Sequence, residues 1–120
     1  MSPIKIILSG SPISSQSIYR ATCRGGRAIY YMNKRGKDKL ENYKWQIKQQ
    51  YKGEVLECSL SLEVDLYFGD KRKHDWDNYN KLLDSLQGIV FVDDIQIQEA
   101  RVRKYYDKED PRIEIKICSL

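Results

Sequence analysis

Five aspartates lie close together in a chain that is otherwise basic. The stretch from residue 73 to residue 94 reads KHDWDNYNKLLDSLQGIVFVDD, and its aspartates are Asp75, Asp77, Asp84, Asp93 and Asp94. Carboxylates at close range repel one another, so such a cluster needs either solvent or a cation among its members. A hard divalent cation such as Mg²⁺ binds carboxylate oxygens together with phosphate oxygens. The cluster therefore predicts a metal site that acts on a phosphate.

The residues just before the cluster favour a polyanionic partner. Lys71, Arg72 and Lys73 form a basic run there. The whole chain has 21 Lys and Arg against 17 Asp and Glu, a net charge of +4, and without the five clustered aspartates the remainder is strongly basic. This asymmetry favours nucleic acid. A slightly basic solvated surface is the other interpretation, which charge alone leaves open.

Asp75 and Asp77 precede a predicted helix. Asp is among the best N-cap residues, so Asp77 alone could be a cap. In an extended chain, however, Asp75 would point its carboxylate the same way, and in the helix Asp77, Lys81 and Asp84 would share one face. A cap explains one residue and not the set. Lys81 is placed to meet a phosphate oxygen or developing charge, with a salt bridge to a neighbouring aspartate as the alternative.

Asp93 and Asp94 could reach the same place if the chain reverses at Gly88. A ten-residue helix is about 15 Å long at roughly 1.5 Å per residue. The segment from Gly88 to Asp94 could span about 20 Å at roughly 3.3 Å per residue. The apolar residues 89–92 would pack the returning segment on the protein. We therefore expect Asp94 to arrive beside Asp75 and Asp77.

The hydropathy pattern predicts six elements around this site. The longest alternating run is 55–68, with Cys58 on its apolar face, where core packing is expected. The turn-forming residues 108–111 predict a hairpin between the last two strands. The predicted strands are 4–8, 55–68, 96–106 and 112–118, and the predicted helices are 37–51 and 78–87. This order predicts a small α/β (α+β) fold, a mixed β-sheet with two helices, in one domain that comprises residues 1–120.

Residues 9–36 do not follow this pattern. They are rich in Ser, Gly and Arg, with at most a short strand at 28–32. A loop of that length is usually functional or mobile. Its basic residues alternate with tyrosines, as in an arm that contacts nucleic acid, although a solvated loop fits equally well. The candidate DNA-binding residues are Arg20, Arg24, Arg27 and Arg35 in this arm, with Lys71, Arg72 and Lys73 beyond it.

Cysteine usage and hydropathy favour a cytoplasmic protein with no membrane partner. The chain has three cysteines, with no CxxC spacing and no nearby His to complete a zinc site, so we expect reduced, structural thiols. No apolar run approaches the length that spans a bilayer, and the start of the chain has too short an apolar stretch for a signal peptide.

The residues from Asp75 onward resemble the core motif of a known family, the RusA family of Holliday junction resolvases. The matching residues are Asp75, Asp77, Asn78, Lys81 and Asp84, then GIVFVDDIQ at 88–96, and the later Val102 and Lys104. More loosely, Pro12, Ser14, Tyr19 and Arg20 are similar to the family's pattern in the N-terminal arm.

The resemblance implies a magnesium-dependent, structure-specific endodeoxyribonuclease, with Mn²⁺ as a substitute metal. Such an enzyme acts as a homodimer and makes paired symmetric nicks in four-way DNA junctions, in DNA recombination and repair, and is of bacterial, phage or prophage origin. The resemblance assigns metal binding to Asp75, Asp77 and Asp94, and catalysis to these residues with Lys81. It also implies supporting roles for Asn78, Asp84 and Asp93 and DNA binding for Lys104.

Two other functions remain compatible with the residues. One is a non-catalytic basic DNA-binding module whose aspartates cap a helix and balance its lysines. The other is a less selective nuclease that cuts flaps and forks as well as junctions. An interaction protein whose long alternating strand mediates dimerisation is compatible with either nuclease. His74, beside the carboxylates, could touch a phosphate or assist proton transfer, or could simply be solvated.

Overall fold

A computed structural model describes residues 3–12, 19–24, 27–32, 34–71 and 82–120. In these residues it contains six strands, two α-helices and one short 3₁₀ helix, and it confirms the predicted α+β class. No helix in the described part of the chain is both long and apolar enough to cross a membrane. The elements are β1 (Ile4–Ser9), β2 (Tyr19–Arg24), β3 (Arg27–Met32), α1 (Lys34–Gln50), β4 (Leu60–Phe68), α2 (Leu82–Leu86), the 3₁₀ helix Asp94–Gln96, β5 (Ile97–Tyr106) and β6 (Arg112–Ser119).

Four of the described strands form a mixed sheet in the order β1-β6-β4-β5. Strand β4 is parallel to β5 and antiparallel to β6, and β6 is antiparallel to β1. Along β4 buried and half-buried residues alternate without interruption, because successive side chains of a strand point to opposite faces. The buried face of the sheet carries Ile6, Leu8, Leu62, Val64, Leu66, Ile113, Ile115 and Ile117.

Helix α1 covers this buried face. Its apolar residues Leu40, Tyr43 and Ile47 recur at helical spacing and all lie in the core. Each large apolar side chain buried in this way contributes roughly 1.5–3 kcal/mol. The helix predicted at 37–51 is confirmed, and it begins three residues earlier, at Lys34.

The same helix covers the outer edge of β1. The Gln50 side chain accepts a hydrogen bond from Ile7 N (2.7 Å) and donates one to Ile7 O (2.6 Å). Gln46 Oε1 accepts from Ser9 N (2.9 Å). These backbone groups alternate with those that pair with β6, so two glutamine amides take the place of a neighbouring strand.

The predicted hairpin between the last two strands is wrong. Strand β4 lies between β5 and β6, and the connection 107–111 passes over the end of β4. Two strand spacings amount to about 10 Å, which five residues span easily at roughly 3.3 Å per residue. Asp107 N donates to Phe68 O (2.8 Å) at this crossing. A turn sequence therefore gave the chain reversal correctly but not the pairing partner.

The strand predicted at 55–68 begins only at Leu60, and the core position predicted for Cys58 is wrong. Cys58 is exposed. Leu56 N instead donates to Val90 O (2.8 Å), and Leu56 O accepts from Val92 N (3.3 Å). Because this segment pairs with residues 90–92 rather than with the sheet, its alternating pattern continues beyond the strand itself.

The arm predicted as a loop contains a hairpin. Strand β2 pairs with β3 in antiparallel register, with Arg24 opposite Arg27 and Arg20 opposite Tyr31. The short strand predicted at 28–32 is thus confirmed as part of β3, whereas β2 was missed. The Gly-Gly pair between the two runs is a recognised hairpin signal, so the sequence did contain the information.

Candidate active site

The chain reverses after α2 as the sequence predicts. Gly88 has φ of +82°, a conformation that favours glycine, and its N–H donates to Phe91 O (2.7 Å). Val90 and Phe91 on the returning segment are fully buried. The expected packing of residues 89–92 is therefore confirmed for these two residues, while Val92 is 55% exposed. The reversal brings the paired aspartates back to the end of α2.

Two hydrogen bonds show where the return ends. Asp94 N donates to Gln87 Oε1 (3.0 Å), which ties Asp94 to the residue after α2. Asp93 caps the 3₁₀ helix, because its Oδ1 accepts from Ile95 N (3.2 Å). We call Asp84, Asp93 and Asp94 the acidic corner. All three are exposed.

Gln96 completes the cap. Its Oε1 accepts from Asp93 N and from Val92 N, both at 2.9 Å, so that Asp93 and Gln96 form a capping box. Its Nε2 donates to Leu56 O (2.9 Å) and to Cys58 O (3.0 Å). One side chain therefore joins the acidic corner to residues 56–58.

Like charges meet in the acidic corner. A hydrogen bond with the Asp93 side chain, partial desolvation and the charges of Asp93 and Asp84 raise the pKa of the Asp94 carboxyl above its ordinary value. A divalent cation would remove this repulsion, and carboxylate oxygens are the donors that Mg²⁺ prefers. The chemistry of these donors thus fits a metal.

The described residues supply only part of a metal-binding set. Among them, no three His, Cys, Asp or Glu side chains are arranged to hold an ion. A full set would need more carboxylates, such as Asp75 and Asp77. These two residues and Arg72, Lys73, Asn78 and Lys81 lie outside the described residues, as do the side chains of Arg20, Arg24, Arg27 and Arg35.

The remaining predicted DNA-binding residues lie at the other end of the sheet. Lys104 is exposed on β5 and pairs in register with Leu66. Lys71 Nζ lies 5.2 Å from the centroid of the Tyr106 ring, two residues further along β5. Since β5 starts directly after the 3₁₀ helix, Lys104 is separated from the acidic corner by about 20 Å or more at roughly 3.3 Å per residue. The predicted positive and negative groups of the described part are thus far apart.

The sequence motif includes Gln96, but the supporting roles of Gln87 and Gln96 were not predicted from it. The signal for Gln96 was present, because Asp followed three residues later by Gln is a capping-box pattern. Gln87 had no comparable signal, since its bond to Asp94 N depends on how the chain returns.

Comparison with known proteins places the whole motif in a family. The family model described as endodeoxyribonuclease RusA matches residues 10–118, nearly the whole chain. No curated protein matches the chain. Members of the family hydrolyse phosphodiester bonds of DNA, act on branched Holliday junctions and generally need a divalent metal. The chain therefore belongs to the RusA family of endodeoxyribonucleases.

Proposed function

We propose that this protein resolves four-way DNA junctions by paired, symmetric, magnesium-dependent hydrolysis, and that it serves DNA recombination and repair. The observation that carries the proposal is the acidic corner. Exposed carboxylates are held beside one another by backbone hydrogen bonds, in a chain whose family cuts branched DNA. Such an arrangement costs stability, and a bound cation with its phosphate gives a reason for it.

Asp75, Asp77 and Asp94 would hold the metal. Magnesium, or manganese in its place, would polarise the scissile phosphodiester, help to activate water and stabilise the leaving oxygen. The raised pKa of Asp94 supports this role, because a cation would stabilise the ionised carboxylate. Asp93 and Asp84 would support Asp94 as near neighbours, and Asn78 would support Asp77 on the same segment.

Lys81 would neutralise charge that develops on the phosphate. A fixed ammonium group is worth most where charge appears only in the transition state. Its position four residues after Asp77 would place it on the same helix face as that proposed metal ligand. The proposed role of Lys81 is therefore in catalysis and would not be required for DNA binding alone.

DNA would be held by basic residues away from the acidic corner. Strand alternation puts positions 20, 24 and 27 on one face of the β2–β3 hairpin, which supports their joint role in phosphate binding. Lys71 and Lys104, which lie towards the far end of β5 from the acidic corner, would bind phosphates distant from the scissile bond. The full proposed set is Arg20, Arg24, Arg27, Arg35, Lys71, Arg72, Lys73 and Lys104.

The active form would be a homodimer of single-domain protomers in the cytoplasm. One acidic cluster per chain makes one nick, and two nicks related by the junction's symmetry need two copies related by a twofold axis. Sedimentation of the free protein and of its junction complex tests this. A monomer at micromolar concentration in both conditions would contradict the dimer.

The function is tested with a labelled four-way junction, a linear duplex and a forked DNA of the same sequence, each with and without Mg²⁺. We expect paired nicks in the junction only, and only with the metal. Equal cleavage of the fork would favour the less selective nuclease. Binding without cleavage in every metal condition would leave only the non-catalytic module.

Asp77→Asn separates a ligand from a cap. Asn caps helices about as well as Asp, so the capping interpretation expects near-parent cleavage. The metal interpretation expects almost none, with junction binding retained. Near-parent rates in both Asp77→Asn and Lys81→Ala would reject the proposed site.

A further inference from the structure

We propose that Gln96 is a positioning residue for Asp94, and that Gln87 assists it. This inference rests on the proposed function, because it takes Asp94 to be a metal ligand. It goes beyond that function by assigning a role to two uncharged side chains that would touch neither metal nor DNA.

Asp94 needs support from other residues because it is exposed. An exposed carboxylate on a short 3₁₀ helix has few packing contacts to hold it, and the neighbouring Ile95 is 77% exposed. A metal ligand must nevertheless stay within a few tenths of an ångström of its productive position. The backbone that carries Asp94 must therefore be fixed by hydrogen bonds.

The Gln96 amide uses its full hydrogen-bonding capacity for this purpose. A primary amide offers two acceptor sites on oxygen and two N–H donors. The oxygen takes the amides of Val92 and Asp93, and the nitrogen serves the carbonyls of Leu56 and Cys58, all four at 2.9–3.0 Å. Glutamate could supply only the acceptors, so the donor half of the contact is specific to an amide.

Gln87 adds a second attachment from another direction. Its Oε1 accepts the Asp94 N–H at 3.0 Å. Gln87 directly follows α2, the helix that carries Asp84, and Leu86 before it is fully buried. Asp94 is thus attached to the core through α2 on one side and through residues 56–58 on the other.

A purely structural interpretation makes a different prediction. If Gln96 served only as the capping-box partner of Asp93, Gln96→Glu would be harmless, since Glu and Gln both complete that motif. In the positioning interpretation, Gln96→Glu fails, because a carboxylate cannot donate to the carbonyls of Leu56 and Cys58. Gln96→Met removes all four bonds at similar size and adds no charge.

The experiment compares Gln96→Met, Gln96→Glu and Gln87→Met in the full-length protein. The matched control is Gln98→Met, because Gln98 is exposed nearby and its side chain makes, within the described part of the chain, one long hydrogen bond to Ile95 O, at 3.4 Å. Three quantities are measured: Mn²⁺ affinity by calorimetry without DNA, amide hydrogen exchange at residues 92–95, and junction cleavage as a function of Mg²⁺ concentration. Junction affinity in Ca²⁺ and the midpoint of thermal unfolding are recorded alongside.

We expect Gln96→Met and Gln96→Glu to weaken Mn²⁺ binding by roughly tenfold or more, as loss of a ligand's supporting partner typically does. Amide exchange at residues 92–95 should accelerate, cleavage should recover at high Mg²⁺, and junction affinity should stay at the parent value. Gln87→Met should act in the same direction and more weakly, and it also serves if the Gln96 variants do not fold. Gln98→Met should match the parent.

Parent-like Mn²⁺ affinity and Mg²⁺ dependence in Gln96→Met, or in Gln87→Met if that is the variant that folds, would overturn the inference while leaving the proposed function intact. Parent-like behaviour of Gln96→Glu alone would reduce Gln96 to a capping residue. If the parent protein itself neither binds Mn²⁺ nor cuts junctions, the proposed function fails, and this inference fails with it.

Discussion

In two charged regions of the molecule, neighbouring groups shift the pKa of an aspartate in opposite directions. In the acidic corner, carboxylates face one another, and the pKa of Asp94 is raised by Asp93, by desolvation and by Asp84. On the far side of the sheet, carboxylates surround a guanidinium group, and the pKa of Asp107 is lowered, chiefly by its hydrogen bond with Arg112. We call Arg112, Asp107 and Glu114 the Arg112 cluster.

The Arg112 cluster is built for stability. Arg112 Nη1 lies 2.8 Å from Asp107 Oδ2, and its Nε lies 2.7 Å from Glu114 Oε2. The guanidinium also lies 3.8 Å above the Tyr67 ring. These contacts fasten the crossing from β5 to β6, where the chain passes over β4. Because each charge meets an opposite charge there, no ligand is needed to account for the cluster.

The comparison teaches how to separate structural from functional charge in one small protein. Both regions fix their backbones with hydrogen bonds, and both contain aspartates at the end of an element. Among the described residues, they differ in the sign of the neighbours that shift the pKa of Asp94 and of Asp107. A carboxylate held beside other carboxylates lowers the stability of the fold, and such an arrangement is typical of a site that awaits a cation or a substrate.

The largest expected effect is on junction cleavage, when one aspartate in each region is replaced by asparagine. Asp94→Asn should lower junction cleavage at saturating Mg²⁺ by on the order of a hundredfold or more, because it removes a proposed ligand of the cation that would stabilise charge in the transition state. Asp107→Asn should cut at close to the parent rate. Single-turnover cleavage of a labelled junction measures both. Equal losses in the two variants would erase the proposed difference between the regions.

The two variants should also differ in stability at neutral pH, with opposite signs. Asp107→Asn removes a favourable ion pair and should lower the midpoint of thermal unfolding, whereas Asp94→Asn removes repulsion and should raise it. Thermal unfolding at pH 7 without divalent metal checks this. A lower midpoint in Asp94→Asn would show that the acidic corner contributes to folding.

The pH dependence of stability should follow from the same shifts. The folded pKa of Asp107 lies below its ordinary value of 3.8, so its stabilisation is present above that value and is lost as the pH falls through the folded pKa. The folded pKa of Asp94 lies above 3.8, so its contribution is full below that value and is lost as the pH rises through the folded pKa. A plot of the free energy of unfolding against pH between pH 3 and pH 7 should therefore become flatter below 3.8 in Asp107→Asn and above 3.8 in Asp94→Asn. A profile that neither variant changes would contradict both assignments.

Arg112→Lys tests whether the Arg112 cluster contributes to stability and not to cleavage. Lysine keeps the charge but cannot present the forked donors that meet Asp107 and Glu114, nor stack as a plane on Tyr67. We expect a lower unfolding midpoint with cleavage rate and Mg²⁺ dependence unchanged. A selective loss of cleavage would give the Arg112 cluster a part in catalysis.

The smallest expected effect concerns the lysines at the other end of β5. Lys71→Gln and Lys104→Gln should each reduce the slope of junction affinity against salt by about 0.9, the change expected for one lost phosphate contact. Lys116→Gln is the control, because Lys116 lines a groove on the opposite face of the sheet. Binding titrations over a range of salt concentrations measure the slope. Equal changes in the control would show only a general effect of net charge.

The hydropathy period and the residue spacing predicted the helices and strands better than they predicted which strands pair. Alternation identified the face of β4 that is buried, and helical spacing identified Leu40, Tyr43 and Ile47, because both patterns are local. The neighbour of β5 depends on which strand enters between β5 and β6, and no local pattern records that. Cys58 shows the same limit, since an alternating run does not reveal where the chain leaves the sheet.

For the site, the sequence predicted the reversal at Gly88, and the structure confirms it. The predicted return of Asp94 to the side of Asp75 and Asp77 stays a prediction, because those two residues lie outside the described residues. The sequence did not reveal how residues 93–94 are held. A capping box is readable from Asp93 and Gln96, but the bonds from Gln96 to residues 56–58 join segments that are distant in sequence. The metal set of Asp75, Asp77 and Asp94 stays a prediction.

The two glutamines of α1 that cover β1 have a consequence for the protein at high concentration. An uncovered strand edge recruits the edges of other copies and can seed fibres. Gln46 and Gln50 occupy the backbone groups of Ile7 and Ser9 that such pairing would use. Pairing of sheets from two copies through the β1 edge is thereby blocked, by two side chains rather than by an additional strand.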